Sequence, residues 1–391
     1  PRPTRIRPSR LPQKNRKIQG SMGKEYQAEV PLSLVVEGDL YELTVEGRAD
    51  GIFTEDGKCF VDEIKGMYRR VELFEKPVFV HRAQAMCYAY IFALQNNMET
   101  IGIQMTYCNL ETEQTKYFRE EFSFEEIKKW FDDLMEEYGK WATFQCEMKN
   151  QRQASIKELG FPFEYRPGQK KLVSDVYRTI MRQKLLFMQA PTGVGKTIST
   201  IFPAVKAVGE ELADRIFYLT AKTITATVAK ETFALLEKNG YRAKTIQITA
   251  KEKLCPCDEM ECNPVTCPYA KGHFDRVNDA VFDLLHRCEM IERDDILSQA
   301  DRYTVCPFEL CLDTASWCDN IICDYNYVFD PNVYLKRFFQ EGIKGDYIFL
   351  IDEAHNMVER SRQMYSAQIY KEDFLTVKRI MKEHSRSIEK A

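Results

Sequence analysis

Alternating apolar and polar positions dominate the first third of the chain. Leu40–Ala49 alternates as a half-buried strand does, and Cys59–Ile64 follows as a second strand after the turn residues Glu55, Asp56 and Gly57. Val80–Leu94 has helical periodicity, and Ile101–Tyr107 returns to the composition of a strand. The pattern predicts a small α/β unit that contains a β-hairpin.

The sequence pattern changes after residues 124–145, in which apolar residues form a stripe with helical spacing. The polar stretch Glu147–Leu159 lacks aromatic residues and is predicted to be a linker. Beyond it, short apolar strands alternate with helices, which is typical of a parallel sheet. The predicted strands are Leu185–Gln189, Ile216–Thr220, Thr245–Thr249, Ile321–Cys323 and Tyr347–Ile351. We therefore expect a basic flexible tail (1–24), a first domain (25–146), a linker (147–159) and a second domain (160–391).

Composition narrows the class of protein. The 391 residues are 44% hydrophobic and 29% charged, which is a globular balance for about two or three domains. No apolar run is long enough to predict a membrane span, and no export signal precedes the first domain, so we expect a cytoplasmic protein. A net charge of −4 excludes a globally basic nucleic-acid binder but leaves room for a locally basic groove.

Two motifs of the second half bear on nucleotide chemistry. Ala190–Thr197 contains Gly193 and Gly195 and has the pattern of a phosphate-binding loop between a strand and a helix. In such a loop Lys196 would reach the β- and γ-phosphates, and Thr197 would ligate Mg²⁺. Asp352 and Glu353 follow the apolar strand Tyr347–Ile351, where Asp352 would hold Mg²⁺ and Glu353 would polarise the attacking water.

Together these motifs resemble the first motor domain of superfamily 2 helicases of the DEAH type, in which His355 would couple the nucleotide to other motifs. Arg166 and Gln169 resemble the adenine-reading Q motif of that superfamily. Thr220 and Lys222 fall where its motif Ia contacts the DNA backbone, in contacts that position the protein rather than read sequence. The resemblance implies ATP and Mg²⁺ as cofactors.

Thirteen cysteines are many for such a chain, and nine of them lie between Cys255 and Cys323. A cluster of this kind without an export signal points to a metal or metal–sulfur site. Its place after motif Ia resembles the XPD/DinG family of iron–sulfur helicases, and residues 323–327 resemble that family's Asn-Tyr element. The resemblance implies a [4Fe–4S] cluster on four thiolates, in an insertion of about 254–307. The candidate ligands are Cys255, Cys262, Cys267 and Cys306.

Two alternatives at this cluster stay open. Cys257 is the main rival of Cys255 as a ligand. Zinc is the competing metal, although structural zinc sites usually use closer pairs of cysteines, and only Cys262 and Cys267 come near that spacing.

The first domain carries a second acidic constellation. Asp50 ends one hairpin strand, while Glu63 and Lys65 share a face of the next strand, which is the pattern of PD-(D/E)XK nucleases. Two such carboxylates would bind Mg²⁺ or Mn²⁺, and Lys65 would orient water or neutralise developing charge. Gln84 and Tyr88, one helical turn apart, resemble the additional motif of the RecB-family nucleases.

The match to that family has a departure. RecB-like nucleases commonly carry a metal-ligating histidine upstream of the first strand, but residues 1–49 contain none. Asn15 is the residue that we expect in its place, and Glu29 is a candidate further acid. The resemblance therefore supports a RecB-like fold more strongly than it supports cleavage.

The expected protein is of the α/β class, with a PD-(D/E)XK nuclease-like domain followed by a RecA-like P-loop domain that holds a four-cysteine iron–sulfur insertion. The resemblance implies an ATP-dependent 5′→3′ DNA helicase that acts on single-stranded or forked DNA in repair or replication. Only 36 residues follow His355, so we expect a fragment that ends at the start of an arch insertion (about 361–391) and lacks the second motor domain. The alternatives are a Mg²⁺-dependent exonuclease with the ATP module as translocase, and a non-catalytic DNA-binding fragment.

Overall fold

The structure, a computed structural model, describes Gln19 and residues 25–191, 193–221 and 223–381. The chain divides into two compact units, Pro1–Glu147 and Met148–Ala391. Most of the expected basic tail, Asn15, Lys222 and the last ten residues of the expected arch segment lie outside the described residues.

A five-stranded sheet forms the framework of the first unit, in the order β1-β2-β3-β4-β5. The strands β3 and β4 are parallel, and the other neighbours are antiparallel. Helix α1 (Phe79–Gln95) makes the crossover between the two parallel strands. The strands are β1 (Gln27–Glu37), β2 (Glu42–Glu55), β3 (Lys58–Met67), β4 (Thr100–Asn109) and β5 (Thr115–Ser123).

The predicted hairpin between β2 and β3 is confirmed. Glu55 pairs with Lys58, so the loop consists of Asp56 and Gly57 alone. Both loop residues have positive φ, +52° and +75°, as a type I′ turn requires. The turn sets the register in which Gly51 of β2 pairs with Asp62 of β3.

The expected linker is instead helical. Helix α2 runs without interruption over Phe124–Glu158, and the division between the two units falls within it. Ile156 and Leu159 are buried in the core of the second unit, and the guanidinium of Arg152 forms an ion pair with Asp319 there. A polar stretch lacks an apolar stripe, but two well-placed aliphatic residues and one buried ion pair are enough to hold a helix against a core.

Five parallel strands form the sheet of the second unit, in the order β10-β6-β9-β7-β8. Four of them were predicted from apolar runs. The strands are β6 (Arg215–Thr220), β7 (Thr245–Gln247), β8 (Met290–Ile291), β9 (Asn320–Asp324) and β10 (Tyr347–Ile351).

The predicted strand Leu185–Gln189 is wrong within the described part of the chain. This segment pairs with no strand, and the side chains of Leu185 and Phe187 are 88% and 89% exposed. A short apolar run becomes a buried strand only when a neighbouring strand takes its backbone hydrogen bonds and helices cover it. Here β10 is the edge strand of the sheet, and the segment before the P-loop does not extend it.

Helices surround the second sheet and connect its strands. The longest are α3 (Gln169–Met181), α4 (Lys196–Gly209), α5 (Thr223–Lys238), α7 (His273–Arg287), α8 (Arg293–Tyr303), α9 (Pro307–Ala315) and α13 (Lys371–Met381). The shorter ones are α6 (Lys251–Leu254), α10 (Asn326–Phe329), α11 (Lys336–Phe339) and α12 (Met357–Met364). Helix α4, which follows the P-loop, is apolar and buried along most of its length; its Ile201 is fully buried and contributes about 1.5–3 kcal/mol by burial. Among the described residues, no helix has the length and apolar character that crossing a membrane requires.

Candidate nucleotide and metal sites

The P-loop is shaped by two glycines. Gly193 and Gly195 have φ of +84° and +74°, a region that residues with a side chain rarely adopt. Helix α4 begins directly afterwards at Lys196, so its first unpaired N–H groups face the loop. Thr192 lies outside the described residues. Backbone donors at a helix start form a site that favours phosphate.

The two residues predicted as a Q motif lie against this loop. Gln169 is 5% exposed and donates from Nε2 to the Val194 carbonyl at 3.2 Å. The Arg166 guanidinium donates to the Gly193 carbonyl, and the Arg166 backbone N–H donates to Gln169 Oε1 at 3.1 Å. These hydrogen bonds engage the carbonyls of Gly193 and Val194 and hold the loop in the conformation that the glycines allow.

The acidic motif meets the P-loop at the carboxyl end of β10. Lys196 Nζ lies 3.5 Å from Glu353 Oε1. The backbone N–H of Asp352 donates to the carbonyl of Leu219 at 3.0 Å, which continues the pairing of β10 with β6. His355 is largely exposed, and its Nδ1 lies 3.4 Å from Glu353 Oε2. The structure thus brings together the four residues expected to handle phosphate, Mg²⁺ and water, namely Lys196, Thr197, Asp352 and Glu353.

Sequence reasoning missed Tyr218, which connects the two motifs. This tyrosine lies in the middle of β6, and its hydroxyl interacts with the side chains of both Thr197 and Asp352. Burial, followed by the charge of Asp352, raises the pKa of Tyr218. The available signal was a single hydroxyl in the apolar run Ile216–Thr220, since a buried tyrosine usually has a polar partner.

A second tyrosine supports the backbone of the acidic motif. The hydroxyl of Tyr325 donates to the carbonyl of Asp352 and lies 3.3 Å from that of Glu353. Glu353 has a φ of +49°, a left-handed conformation that costs energy for a residue with a side chain. Burial and the charge of Asp352 raise the pKa of Tyr325 to about 12, so its hydroxyl keeps its proton and remains a donor. Tyr325 belongs to the segment that resembles an Asn-Tyr element.

Thr220 was expected to contact a DNA backbone. It is 5% exposed at the end of β6, and its hydroxyl bonds with that of Thr225. This buried position does not support a direct contact with a phosphate.

The donor set between the motifs suits a magnesium nucleotide. Thr197 offers a hydroxyl and Asp352 a carboxylate, which are the hard oxygen ligands that Mg²⁺ prefers. Tyr218 joins these two side chains, so they already face one another. Lys196 and the N-terminus of α4 supply positive charge for the phosphates.

The candidate cluster cysteines come together in two groups. Cys255 and Cys267 both interact with Cys257, and burial, followed by these neighbours, raises the pKa of Cys257 to about 11. The side chain of Lys251 hydrogen-bonds Cys262 and interacts with Cys306. All thirteen cysteines are free thiols. Among the described residues, no three His, Cys, Asp or Glu side chains are arranged to hold a metal ion.

The acidic constellation of the first unit is assembled as the strand pattern predicts. The pairing of Gly51 with Asp62 brings Asp50 opposite Glu63. Asp50 Oδ2 accepts a hydrogen bond of 2.6 Å from the backbone N–H of Ile64. Lys65 Nζ lies 2.5 Å from Glu63 Oε1 and 3.1 Å from Gln84 Oε1. Gln84 Nε2 in turn donates to Tyr88 at 3.3 Å, so the side chains of Glu63, Lys65, Gln84 and Tyr88 form one connected network beside Asp50.

Glu63 is the most perturbed carboxyl of this network. Its side chain is 3% exposed, and its Oε2 has no hydrogen-bond partner among the described residues. Burial, followed by the charge of Asp50, raises the pKa of Glu63 to about 7. Burial also raises the pKa of Asp50. An unpartnered buried carboxylate oxygen beside a second carboxylate fits a divalent cation.

The neighbouring Asp62 has a different role. It is fully buried on the other face of β3, where it accepts hydrogen bonds from Thr106 (2.6 Å) and Tyr26 (2.9 Å). Both oxygens of Asp62 are therefore satisfied inside the unit, and we interpret it as a structural residue.

Gln19 is a further residue that sequence reasoning missed. Its Nε2 lies 2.9 Å from the Asp50 carbonyl and 3.1 Å from Glu29 Oε1. Glu29 has a φ of +57° within β1 and an exposed ion pair with Arg48 at 3.5 Å. The charge of Glu29 adds to the rise in the pKa of Asp50. No local pattern connects Gln19 with a hairpin strand that begins more than twenty residues later.

Comparison with known proteins bears on the second unit. Residues 232–374, which contain the cysteine segment, Asp352 and Glu353, match the family model DEAD_2. The chain is 20% identical over 248 residues to the Regulator of telomere elongation helicase 1 of Rattus norvegicus, with 51% of this chain and 19% of that protein covered. It is 23% identical over 232 residues to the General transcription and DNA repair factor IIH helicase subunit XPD/RAD3 of Saccharomyces cerevisiae, with 50% and 29% covered.

A solved structure described as XPD_Helicase aligns with a TM-score of 0.36 and 20% identity, over 50% of this chain and 33% of that one. The chain spans less than a third of the length of the two curated relatives. These matches show a similarity to helicases of the XPD/RAD3 type over the matched part of the chain.

Proposed function

We propose that the second unit binds ATP with Mg²⁺ and is the first motor domain of an XPD-like DNA helicase. One observation carries this proposal: Lys196 of the P-loop lies 3.5 Å from Glu353, at the carboxyl end of a parallel sheet. Ligands of α/β proteins bind at that end of the strands. The similarity to XPD/RAD3-type helicases supports the same conclusion.

Each residue has a part in this proposal. The α4 N-terminus and Lys196 bind the phosphates, while Gln169 and Arg166 hold the loop and are available to the base. Bound Mg²⁺, held by Thr197 and Asp352, would neutralise phosphate charge. Glu353 orients the attacking water and accepts its proton, and its contact with Lys196 keeps the carboxylate at the phosphate end of the site.

Nucleotide binding tests this proposal directly. The full chain should bind a fluorescent ATP analogue with Mg²⁺, and Glu353→Gln should retain that binding while it loses any DNA-stimulated hydrolysis. Absence of Mg²⁺-dependent binding by the wild-type chain would overturn the motor proposal.

The DNA-directed part of the proposal comes from the resemblance. We propose that the helicase moves 5′→3′ along single-stranded or forked DNA and acts in DNA repair. Unwinding of duplexes with a 5′ or a 3′ single-stranded overhang separates the two polarities. Unwinding only from a 3′ overhang would contradict the proposed direction.

We also propose the [4Fe–4S] cluster, on the strength of the cysteine spacing and the family resemblance. Cys255 and Cys267 lie in one of the two groups of cysteines, beside Cys257. Cys262 and Cys306 lie in the other, beside Lys251. Anaerobic purification followed by iron, sulfide and zinc analysis decides between the two metals. Cys262→Ser should lose iron, whereas Cys311→Ser, which removes a fully buried thiol outside these groups, should retain it. Zinc without iron would overturn the cluster.

A second function, Mg²⁺- or Mn²⁺-dependent DNA cleavage by the first unit, is favoured by the unpartnered Oε2 of Glu63. Asp50 and Glu63 would hold the cation, which would activate water as a Lewis acid. Lys65, paired with Glu63 and Gln84, is placed to orient that water or to neutralise charge on the phosphate.

Cleavage of linear and single-stranded DNA with Mn²⁺ tests this second function. Asp50→Ala and Lys65→Ala should abolish cleavage without a change in nucleotide binding. Lys58→Ala, which removes an exposed lysine paired with Glu121, serves as the matched control. If the wild-type chain cleaves no DNA with any divalent metal, the nuclease proposal falls.

A further inference from the structure

The nucleotide site contains one buried hydroxyl that its motifs do not account for. Tyr218 is 2% exposed in the middle of β6, and its hydroxyl interacts with the side chains of Thr197 and Asp352. These two residues belong to different motifs and to different elements, the start of α4 and the end of β10.

The donor and acceptor roles of the three groups follow from their chemistry. A carboxylate can only accept, so the Tyr218 O–H donates to Asp352. The Tyr218 oxygen keeps its lone pairs, and the Thr197 O–H donates to it. The lone pairs of the Thr197 oxygen then point away from tyrosine and remain available to a cation, as does the second oxygen of Asp352.

Strand pairing fixes this tyrosine in place. Tyr218 pairs with Leu350 across the parallel strands, two residues before Asp352. The backbone N–H of Asp352 donates to the carbonyl of Leu219, which ties the base of the carboxylate to the neighbour of Tyr218. Burial on the sheet leaves the ring little freedom, so the hydroxyl is held at a defined distance from both motifs.

We propose that Tyr218 is a positioning residue that holds Thr197 and Asp352 in the arrangement that binds Mg²⁺ with the nucleotide. This inference rests on the proposed nucleotide site. Outer partners of this kind orient the ligands of a metal without touching it. Tyr218 acts through Thr197 and Asp352 and does not itself contact nucleotide.

A Mg²⁺ titration of nucleotide binding tests the proposal. The full chain is titrated with MgCl₂ at a fixed concentration of N-methylanthraniloyl-ATP, and the affinity in EDTA is measured in parallel. Tyr218→Phe should raise the half-saturating Mg²⁺ concentration about tenfold, in the range that loss of an outer partner costs a metal site. The affinity in EDTA should stay unchanged, because the phosphate-binding backbone and Lys196 are intact.

Tyr241→Phe is the matched control. Tyr241 is also 2% exposed in the second unit, and it exchanges hydrogen bonds with Asn320 outside the nucleotide site. Removal of its hydroxyl should affect thermal stability about as much as removal of the Tyr218 hydroxyl, without a shift in the Mg²⁺ titration. If Tyr218→Phe does not fold, Tyr218→Met fills the same buried space without a hydroxyl, and the same shift is expected.

A double substitution distinguishes positioning from general damage. In an Asp352→Asn background, Tyr218→Phe should change the Mg²⁺ half-saturation by less than about twofold, because effects that run through a shared partner do not add. An unshifted titration in Tyr218→Phe, or an equal shift in Tyr241→Phe, overturns the role of Tyr218 while the nucleotide site stands. A wild-type chain that binds no nucleotide overturns both.

Discussion

Lys196 Nζ and Glu353 Oε1 lie 3.5 Å apart, one at the start of α4 and the other just beyond β10. Their proximity joins the two motifs into a single site. The pair is partly exposed, so it is available to a phosphate rather than committed to a buried ion pair. A nucleotide that enters the site would compete with Glu353 for the lysine charge.

Lys196→Ala should therefore weaken nucleotide binding by about 1.5–3 kcal/mol, the range for hydrogen bonds to a charged group. Equilibrium titration of the full chain with a fluorescent ATP analogue measures this loss. Lys171→Ala is the control, because Lys171 is an exposed lysine of α3 that pairs with Asp175. Equal affinities of the wild type and Lys196→Ala would contradict the assignment of the P-loop.

The two P-loop glycines should differ in their tolerance of alanine. A Cβ on Gly195 would lie 2.7 Å from Gln169 Nε2, whereas a Cβ on Gly193 would meet nothing within 4 Å. Both substitutions impose left-handed strain of about 1–2 kcal/mol, but only Gly195→Ala also displaces Gln169. Urea denaturation without nucleotide should show the larger loss of stability in Gly195→Ala. In a Gln169→Ala background the two variants should become equal, and a persistent difference would speak against this contact.

Cation binding at Asp50 and Glu63 should depend on pH. Burial and the charge of Asp50 raise the pKa of Glu63 to about 7, from an ordinary value of 4.5. The neutral form is favoured below that pH, and a cation requires the carboxylate, so affinity rises as pH approaches 7 and then levels off. For one proton the affinity for Mn²⁺ should rise about tenfold from pH 5 to 6 and about twofold or less from pH 7 to 8.

Mn²⁺ binding to the full chain without nucleotide, followed by the electron paramagnetic resonance of free Mn²⁺, measures this profile. Glu63→Gln should remove the pH-dependent component. Glu121→Gln, which alters an exposed carboxylate paired with Lys58, should leave it intact. The prediction would be contradicted if Glu63→Gln abolished Mn²⁺ binding but the wild-type affinity stayed constant between pH 5 and 8. That result would show that Mn²⁺ binding does not require proton release from Glu63.

The sign for stability is opposite to that for metal binding. A carboxyl whose pKa is raised on folding stabilises the folded state below its unfolded value of 4.5, and this contribution is lost as pH rises through about 7. Glu63→Gln, which stays neutral, should therefore gain stability over the wild type as pH rises from 5 to 8 in the absence of metal. Urea denaturation at several pH values measures this difference.

The buried ion pair of α2 should matter far more than the exposed pair beside it. Arg152 pairs with Asp319 with both side chains mostly buried, while Lys149 pairs with Glu211 at the surface. Arg152→Met leaves a mostly buried carboxylate without its cation and should cost about 3 kcal/mol, whereas Lys149→Met should cost less than about 1 kcal/mol. Hydrogen–deuterium exchange of β9 in urea reports on the second unit by itself. Equal protection in the two variants would mean that the Arg152–Asp319 pair stabilises this unit no more than the surface pair does.

Local patterns were sufficient where the determining contacts are local. The Asp56-Gly57 turn, the helix after residue 78 and the strand Tyr347–Ile351 were predicted with nearly the observed bounds. A two-residue turn needs only its own backbone conformation, and a helix or strand shows its buried face in its period. The P-loop and the acidic motif were recognisable for the same reason, since their residues are adjacent in the chain.

The misses share one physical cause, which is dependence on partners far along the chain. Leu185–Gln189 has the composition of a strand, but no described strand receives its hydrogen bonds. Glu147–Leu159 has the composition of a linker, but Asp319 and the core of the second unit hold it as helix up to Glu158. Gln19 reaches the Asp50 carbonyl across a gap that no sequence period describes.

The sequence by itself determined the two kinds of chemistry that this protein can offer, a phosphate-binding loop with an acidic partner and a pair of carboxylates with a lysine. Residue type and close spacing suffice for that, because each motif is a short piece of backbone with its own geometry. Only the tertiary structure decided that Lys196 meets Glu353, that Tyr218 joins Thr197 to Asp352, and that Glu63 is buried without a partner for one oxygen. These relationships arise from strand order and burial, which depend on the packing of the whole unit rather than on any one segment.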